Sequence, residues 1–432
     1  MRRYDNVEYK YRRCNRDRAG AAPVPVQCAA KQIPVFAPFG GPAALFLLFA
    51  GLILLLGACT ADGESGEVSS SVVASLSGSV DEGYARAYEP FEFRFPLDHG
   101  PHPEYQTEWW YYTGNLRGEN GEEFGYQFTI FRSAIAPEMV DRSSDLATNQ
   151  IYMAHFALTD VAAKEHQGFD RYSRGAAGLA GALGEPQYEV WLEDWSAREV
   201  EPGVVRIEAL AQGAEGPVAI DLVLSEERTP IYHGNAGLSQ KGPESGNASY
   251  YCSLVGLETS GQVRSGDEVT NVSGMSWMDH EFGTSSLSAD TVGWDWFSVQ
   301  LEDGTALMFA QLRTVGGNRS GDVEGTIAYA DGRQEVIRSS DSDLTVTGEW
   351  TSPATDITYP SGWEFSMPDH DLELTVTPLI PDQEMQVSYV YWEGAVEVAA
   401  QMAGRPLAGR GYVELTGYGA QPNTVQTNSV QR

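Results

Sequence analysis

The chain has 432 residues, with 28 basic and 60 acidic side chains (formal net charge −32), 46 glycines, 21 tyrosines and 10 tryptophans. Polar residues spread evenly among so many glycines and aromatics specify a folded globular protein rather than a disordered one, long enough for two domains. The acidic excess excludes binding of nucleic acid through its phosphates and any gain from anionic lipid surfaces.

In chain order, residues 1–58 read as a signal peptide. The basic segment MRRYDNVEYKYRRCNRDR precedes the apolar run AALFLLFAGLILLL, from Ala43 to Leu56. That run is too short for a comfortable membrane span but suits the hydrophobic stretch of a secretory leader. Behind it, Leu56-Gly57-Ala58-Cys59 resembles the bacterial lipobox, in which small residues precede a cysteine that is acylated and becomes the mature N-terminus. Lipidation of Cys59 would make the protein extracytoplasmic, anchored to a bacterial membrane facing the periplasm or the cell surface.

Residues 59–85 are small, polar and acidic, and are expected to form a flexible tether. Loss of residues 1–58, with 8 basic and 3 acidic side chains, leaves 20 and 57, a net charge of −37. Cys14 and Cys28 leave with the leader and Cys59 would carry lipid. Cys252 then stands alone, no disulfide is available to the mature chain, and stability must come from a packed core.

From Tyr105 onward, alternating apolar and polar runs bounded by Gly, Asp and Asn recur. They include EFGYQFTIFR (123–132), YMAHFALTD (152–160), YEVWLEDW (188–195), VVRIEALA (204–211), AIDLVLS (219–225), LELTVTPL (372–379) and GYVELTGY (411–418). Strands of this length separated by turns predict an all-β protein of antiparallel sheets closed into barrels or sandwiches. One segment, RGAAGLAGAL from Arg174 to Leu183, reads as either a short helix or a glycine-rich loop.

Two segments look like copies of each other. Trp110 to Leu116, Gly121, Tyr126-Gln127 and Arg132 parallel Trp296 to Leu301, Gly304, Phe309 to Gln311 and Arg313. Each describes a strand, a turn and a return strand ending in Arg, a hairpin pattern. A tandem duplication follows, with an N-terminal domain over 86–284, a C-terminal domain over 285–420 and a flexible tail over 421–432.

The stretch SWMDHEFGT, Ser276 to Thr284, sits at that junction and sets an imidazole between two carboxylates. In a strand, Trp277, Asp279 and Glu281 would share one face, and Met278, His280 and Phe282 the other. The three polar groups therefore cannot converge on one ion without a bulge. The seven histidines form no HExxH or HxH spacing, so no metal site is expected. His280 is either an acid/base in an apolar cavity, its protonation set by desolvation and a nearby carboxylate, or a hydrogen-bonded core histidine whose neighbouring acids pair with arginines such as Arg132 or Arg313. Trp109, Trp110, Tyr111, Tyr112, Trp294 and Trp296 would fill barrel interiors or line a pocket for an apolar ligand. His155 and His233 could face the same cavity. GMSWM and YYCSL lack a nucleophile elbow, and no glycine-rich phosphate loop occurs, so neither serine-hydrolase chemistry nor a nucleotide cofactor is expected.

Taken in order, EYQTEWWYYTGNL, MAHFALTD, RGAAGLAGAL, HGNAGLSQKG, GMSWMDHEFGTS, GWDWFSVQLEDG, YWEGAV and GYVELTGY resemble the family of AttH and carotenoid 1,2-hydratase (hydroxyneurosporene synthase), over about Glu89 to Tyr418. Members are often labelled secreted hydrolases. The resemblance implies two tandem lipocalin-like β-barrels and, in the hydratases, acid-assisted addition of water to an isoprenoid double bond. The family's catalytic histidine matches His280. Its tryptophan two residues on appears here as Phe282, and its tyrosine and aspartate appear as Phe309 and Gln311, departures that set this chain apart from true carotenoid hydration.

Two functions follow. In one, the protein is a lipid-anchored enzyme on an apolar or isoprenoid-like small molecule, with His280 as acid/base, Asp279 or Glu281 tuning it, and Trp109, Tyr111, His155, Phe282, Trp294 and Trp296 around the ligand. In the other, it is a non-catalytic carrier working with an ABC transport system.

Overall fold

The computed structural model describes residues 83–138, 144, 146–226, 228–242, 244–284, 291–315, 319–320 and 323–419. The expected signal peptide, Cys59, tether residues 59–82 and the 421–432 tail lie outside the described residues.

The alternating runs form strands. In the first part of the chain these are β1 (Thr107–Gly118), β2 (Glu123–Ala134), β3 (Gln150–Asp160), β4 (Glu165–Arg174), β5 (Ala180–Leu183), β6 (Glu189–Leu192), β7 (Trp195–Glu201), β8 (Val204–Gly213), β9 (Gly216–Ser225), β10 (Ile231–Tyr232), β11 (Leu238–Gln240), β12 (Ala248–Ser265) and β13 (Glu268–Gly283). In the second they are β14 (Thr291–Leu301), β15 (Ala306–Thr314), β16 (Arg319–Ser320), β17 (Val323–Ala328), β18 (Gln334–Arg338), β19 (Asp343–Val346), β20 (Glu349–Thr351), β21 (Thr358–Pro360), β22 (Trp363–Met367), β23 (Leu372–Pro378), β24 (Glu384–Gln386), β25 (Val390–Met402) and β26 (Arg405–Leu415). Among the described residues the only helical turns are two short 3-10 segments, Leu97–His99 and Pro368–His370.

The first sheet has thirteen antiparallel strands in the order β4-β3-β2-β1-β13-β12-β9-β8-β7-β6-β5, with β10 and β11 also on β12. It curls until β6 packs against β2, β3 and β4, which nearly closes a barrel and covers the edges an open sheet would expose. The second sheet has eleven strands in the order β18-β17-β15-β14-β26-β25-β23-β22-β19, with β16 on β15 and β24 on β25. In both sheets the first strand lies between its hairpin partner and the last strand, β2-β1-β13-β12 against β15-β14-β26-β25. That shared order is the one a tandem duplication would give. Their turn glycines, Gly121 and Gly304, have φ of 92° and 86°, which only glycine adopts without strain.

Each sheet has its own core. Trp110, Phe128, Phe156 and Trp195 fill the first, and Phe297, Phe365, Trp363 and Trp392 the second. Burying each such side chain contributes about 1.5–3 kcal/mol, which makes a fold without disulfides sustainable. A third cluster, including Tyr111, Tyr251, Trp277, Trp296, Met308 and Tyr412, joins the sheets. Hydrogen bonds cross there too, from Thr159 to Gln383 at 3.0 Å, Asn115 to the Gly411 carbonyl at 3.0 Å and Trp296 to the Tyr251 hydroxyl at 3.1 Å.

Two expected elements differ in detail. RGAAGLAGAL contains no helix, because Ala177 and Gly178 take φ of 52° and 75° in succession and turn the chain into strand β5. YEVWLEDW is two strands rather than one, split by a turn in which Glu193 has φ of 57°.

Candidate functional site

Alternation along β13 holds without a bulge through Ser276 to Gly283, which pair one-to-one with Gly114 to Thr107 of β1. Trp277, Asp279 and Glu281 therefore face the second sheet, while Met278 and His280 point into the first barrel. On β1, Trp109 and Tyr111 share the outer face, and Trp110 and Tyr112 point inward.

The outward groups meet side chains of the second sheet across a cleft of about 150 Å³. Its walls are Trp109, Tyr111, Phe131, Tyr251, Trp294 and Trp296, and its polar groups are His155, Lys241, Asp279, Glu281, Tyr391, Glu393 and Glu414. Of the residues expected around a ligand, the structure brings together Trp109, Tyr111, His155, Trp294 and Trp296, with Asp279 and Glu281. His280 and Phe282 do not join them, because the pleat sends both to the other face. His233 also lies behind the cleft, held by Ser253 at 2.6 Å and Thr326 at 3.0 Å.

Glu393 and Glu414 are direct cross-strand neighbours on β25 and β26. Among the described residues no Lys or Arg pairs with either. Tyr111 donates to Glu393 at 3.0 Å and Trp294 to Glu414 at 3.1 Å. Burial pushes both carboxyls up, Glu393 further through the charge of Glu414, so the pair favours holding a proton. Asp279 accepts hydrogen bonds from Ser253, Tyr251 and Trp277, which favour its charged form, yet burial still pushes it up to about 7. Glu281 differs, bound by Lys241 at 2.6 Å and by Ser249 at 2.5 Å. Opposite these acids, His155 contacts the Tyr391 hydroxyl through Nδ1 at 2.6 Å, while its buried Nε2 has no partner among the described residues. Burial lowers His155 to about 4, so the imidazole is neutral where the acids are protonated.

These raised carboxyls have a linkage consequence. A group bound to its proton more tightly when folded stabilises fully below its unfolded value of ~4.3, and that contribution is lost as pH rises through the folded value. With Glu414 near 8, stability should fall as pH rises from about 7.5 to 8, above the unfolded histidine value of ~6.5, by roughly 1 kcal/mol per pH unit. Thermal melts across that range should show the slope in the wild type and a shallower one in Glu414→Gln. Equal slopes would contradict the assignment.

His280 belongs to a buried polar knot inside the first barrel. Its Nε2 meets Glu108 Oε1 at 2.9 Å, His102 Nδ1 meets the same oxygen at 2.9 Å, and Arg132 Nε donates to Glu108 Oε2 at 2.9 Å. Burial would raise Glu108, but hydrogen bonds from both histidines and the Arg132 charge hold it below the usual carboxylate range. His102, Glu108 and His280 have the donor set of a metal site, their nearest atoms within 4.8 Å of one another. Arg132 already supplies the positive charge there, and a second cation beside a buried guanidinium would be repelled. Burial is the main cause lowering His280, Trp110 stacks on it with ring centres 5.2 Å apart, and Phe282 stacks on His102 at 3.5 Å. Of the two readings of His280, the geometry matches the core histidine, paired with Glu108 rather than with Asp279 or Glu281. Truncation to alanine should therefore destabilise the fold by roughly 2–4 kcal/mol, as expected of a buried donor to a charged group, and leave ligand affinity in the cleft within about twofold. A melt together with a binding isotherm separates the two effects.

Sequence reasoning missed Glu393, Glu414, Tyr391 and Tyr251. The two acids lie in YWEGAV and GYVELTGY, each on the strand face opposite the core residues Trp392, Val413 and Leu415.

A family model described as AttH-like matches residues 86–418. The chain belongs to the AttH-like family. Among solved structures, a Nitrosomonas europaea protein provisionally assigned as an AttH is 31% identical, with a TM-score of 0.69, covering 77% of this chain and 99% of its own. Kievitone hydratase from Nectria haematococca is 14% identical, with a TM-score of 0.56, covering 78% of this chain and 97% of its own, a likeness of fold. No curated protein matches by sequence.

Proposed function

We propose that this AttH-like protein is a lipid-tethered extracytoplasmic enzyme that binds an apolar, isoprenoid-like small molecule between its two sheets and acts on it by proton transfer, in the manner of a hydratase or isomerase. The observation that carries this reading is the opposed protonation bias within one cleft. Burial biases the adjacent Glu393 and Glu414 toward holding a proton and His155 toward its neutral form, whose Nε2 lines the same cleft with no partner among the described residues. Paired groups pushed apart in this way divide naturally into acid and base.

For addition of water, the carboxyl pair gives its proton to one alkene carbon. Water bonds through oxygen to the other, its surplus proton passes to His155 Nε2, and solvent returns a proton to the pair as His155 releases its own. For isomerisation the same two groups give and take protons at different carbons of the substrate. Tryptophan and tyrosine faces around the cleft stabilise positive charge as it develops. The fold shared with kievitone hydratase is compatible with such chemistry. His280, which the family resemblance nominates, acts in this reading by fixing β1 against β13.

Mass spectrometry of ligand extracted from the purified protein, before and after incubation, tests the proposal. The wild type should yield a product heavier by one water or an isomer of altered retention, and His155→Phe should not. Ligand returned unchanged by the wild type would point instead to a carrier serving an ABC transport system. The anchor is tested separately. Cys59→Ser should abolish labelling by radioactive palmitate and release the protein from the membrane fraction, and labelling that persists would contradict lipidation at Cys59.

A further inference from the structure

Within the cleft, the acids outnumber the bases. Asp279, Glu281, Glu393 and Glu414 face one lysine, Lys241, already paired with Glu281 at 2.6 Å. Glu393 and Glu414 lie side by side, and among the described residues neither has a cationic partner. Two adjacent buried carboxyls in that state are stabilised either by a shared proton or by a positive charge brought from outside. The surrounding walls suit the second as well as the first. Trp294 hydrogen-bonds Glu414 at 3.1 Å and Tyr111 hydrogen-bonds Glu393 at 3.0 Å. Tyr111 in turn meets Trp296 edge to face, ring centres 5.2 Å apart, and Trp109 completes the aromatic surround. Aromatic faces beside carboxylates are the ordinary means of holding an ammonium group, worth more when the site is dry. A separate feature also points to a ligand, the buried Nε2 of His155, which lines the same cleft and has no partner among the described residues. At longer range, the chain's net charge of −32 draws cations toward it.

We propose that the cleft recognises ligands carrying an ammonium group, which sits against Glu393 and Glu414 within the Trp109, Tyr111, Trp294 and Trp296 surround. The ammonium takes the place of the shared proton, so such ligands bind in competition with the proton-transfer substrate. The inference rests on the cleft being the ligand site and not on the chemistry proposed for it.

Choline and its uncharged isostere 3,3-dimethylbutan-1-ol have the same shape and differ in charge alone, which makes them the test pair for calorimetry on the full chain near neutral pH. Choline should bind at least roughly tenfold more tightly than the alcohol. Glu393→Gln/Glu414→Gln should erase that preference. Should the double variant not fold, Trp294→Leu, which keeps both acids, should weaken choline by a several-fold larger factor than it weakens the alcohol. Equal affinities in the wild type, no binding of choline, or a preference that survives both changes would overturn the proposal. Product formation from the extracted ligand, measured on the same samples, would be untouched by that failure, so the two readings fall separately.

Discussion

Arg132→Met should destabilise the protein by about 3–5 kcal/mol, more than any other single change at the knot, because it leaves the Glu108 carboxylate buried without its cation. Arg132 donates to Glu108 at 2.9 Å, to Gln150 at 2.8 Å, and to the carbonyls of His102 and Tyr105 at 2.9 Å each. Both partners are essentially sealed from solvent, with side-chain exposures of 1% for Arg132 and 0% for Glu108, so water cannot replace the lost charge. The midpoint of thermal unfolding should drop on the order of 10 °C. Arg132→Met/Glu108→Leu, which removes both charges, should lose less than the single variant, since the penalty belongs to the stranded carboxylate rather than to the missing pair. A double variant worse than Arg132→Met would contradict this. The pH dependence has a definite sign. Glu108 is held below its ordinary value, so its contribution is complete above the unfolded value of ~4.3 and fades as pH falls below it.

The second large effect falls on chemistry. Glu414→Gln and Glu393→Gln keep shape and hydrogen bonding but have no proton to give, and each should lower turnover by about 10²–10⁴-fold, the range of a lost general acid. The wild-type rate should fall as pH rises past about 8, where Glu414 ionises, and again below about 4, where His155 takes a proton. The alkaline limb should vanish with the carboxyl pair while the acid limb stays. If Glu414→Gln keeps the wild-type alkaline limb, the acid lies elsewhere. His280→Ala provides the contrast, with a lower melting point and a pH profile of unchanged shape.

Much of the architecture was legible because it depends on period-two patterning and turn glycines, which are local. The hairpin copies at Trp110 and Trp296 were readable for the same reason, and the strand order shared by the two sheets matches them. Alternation also separated Asp279 and Glu281 from His280 before any coordinates. What it could not show is which face of β13 meets ligand, because that depends on where the second sheet lies. The outer face of a lone barrel would be wet. Here it becomes the wall of an inter-sheet cleft, and the inner face carries the polar knot. Glu393 and Glu414 escaped for a related reason. Neither acid stands out in its own strand until β25 and β26 pair and set the two side by side. The cluster around Glu108 draws on His102 and Arg132, distant in sequence from the motif, and no spacing rule links them.

Ligand should bind between the sheets rather than inside either barrel. Ala310 lines the cleft on β15, and Ala310→Trp would fill it while leaving both barrel cores untouched. Native mass spectrometry of the two proteins purified side by side is the direct measurement. The wild type should retain its small molecule and Ala310→Trp, equally folded by melt, should come through empty. The same ligand retained at the same occupancy by both would contradict the account.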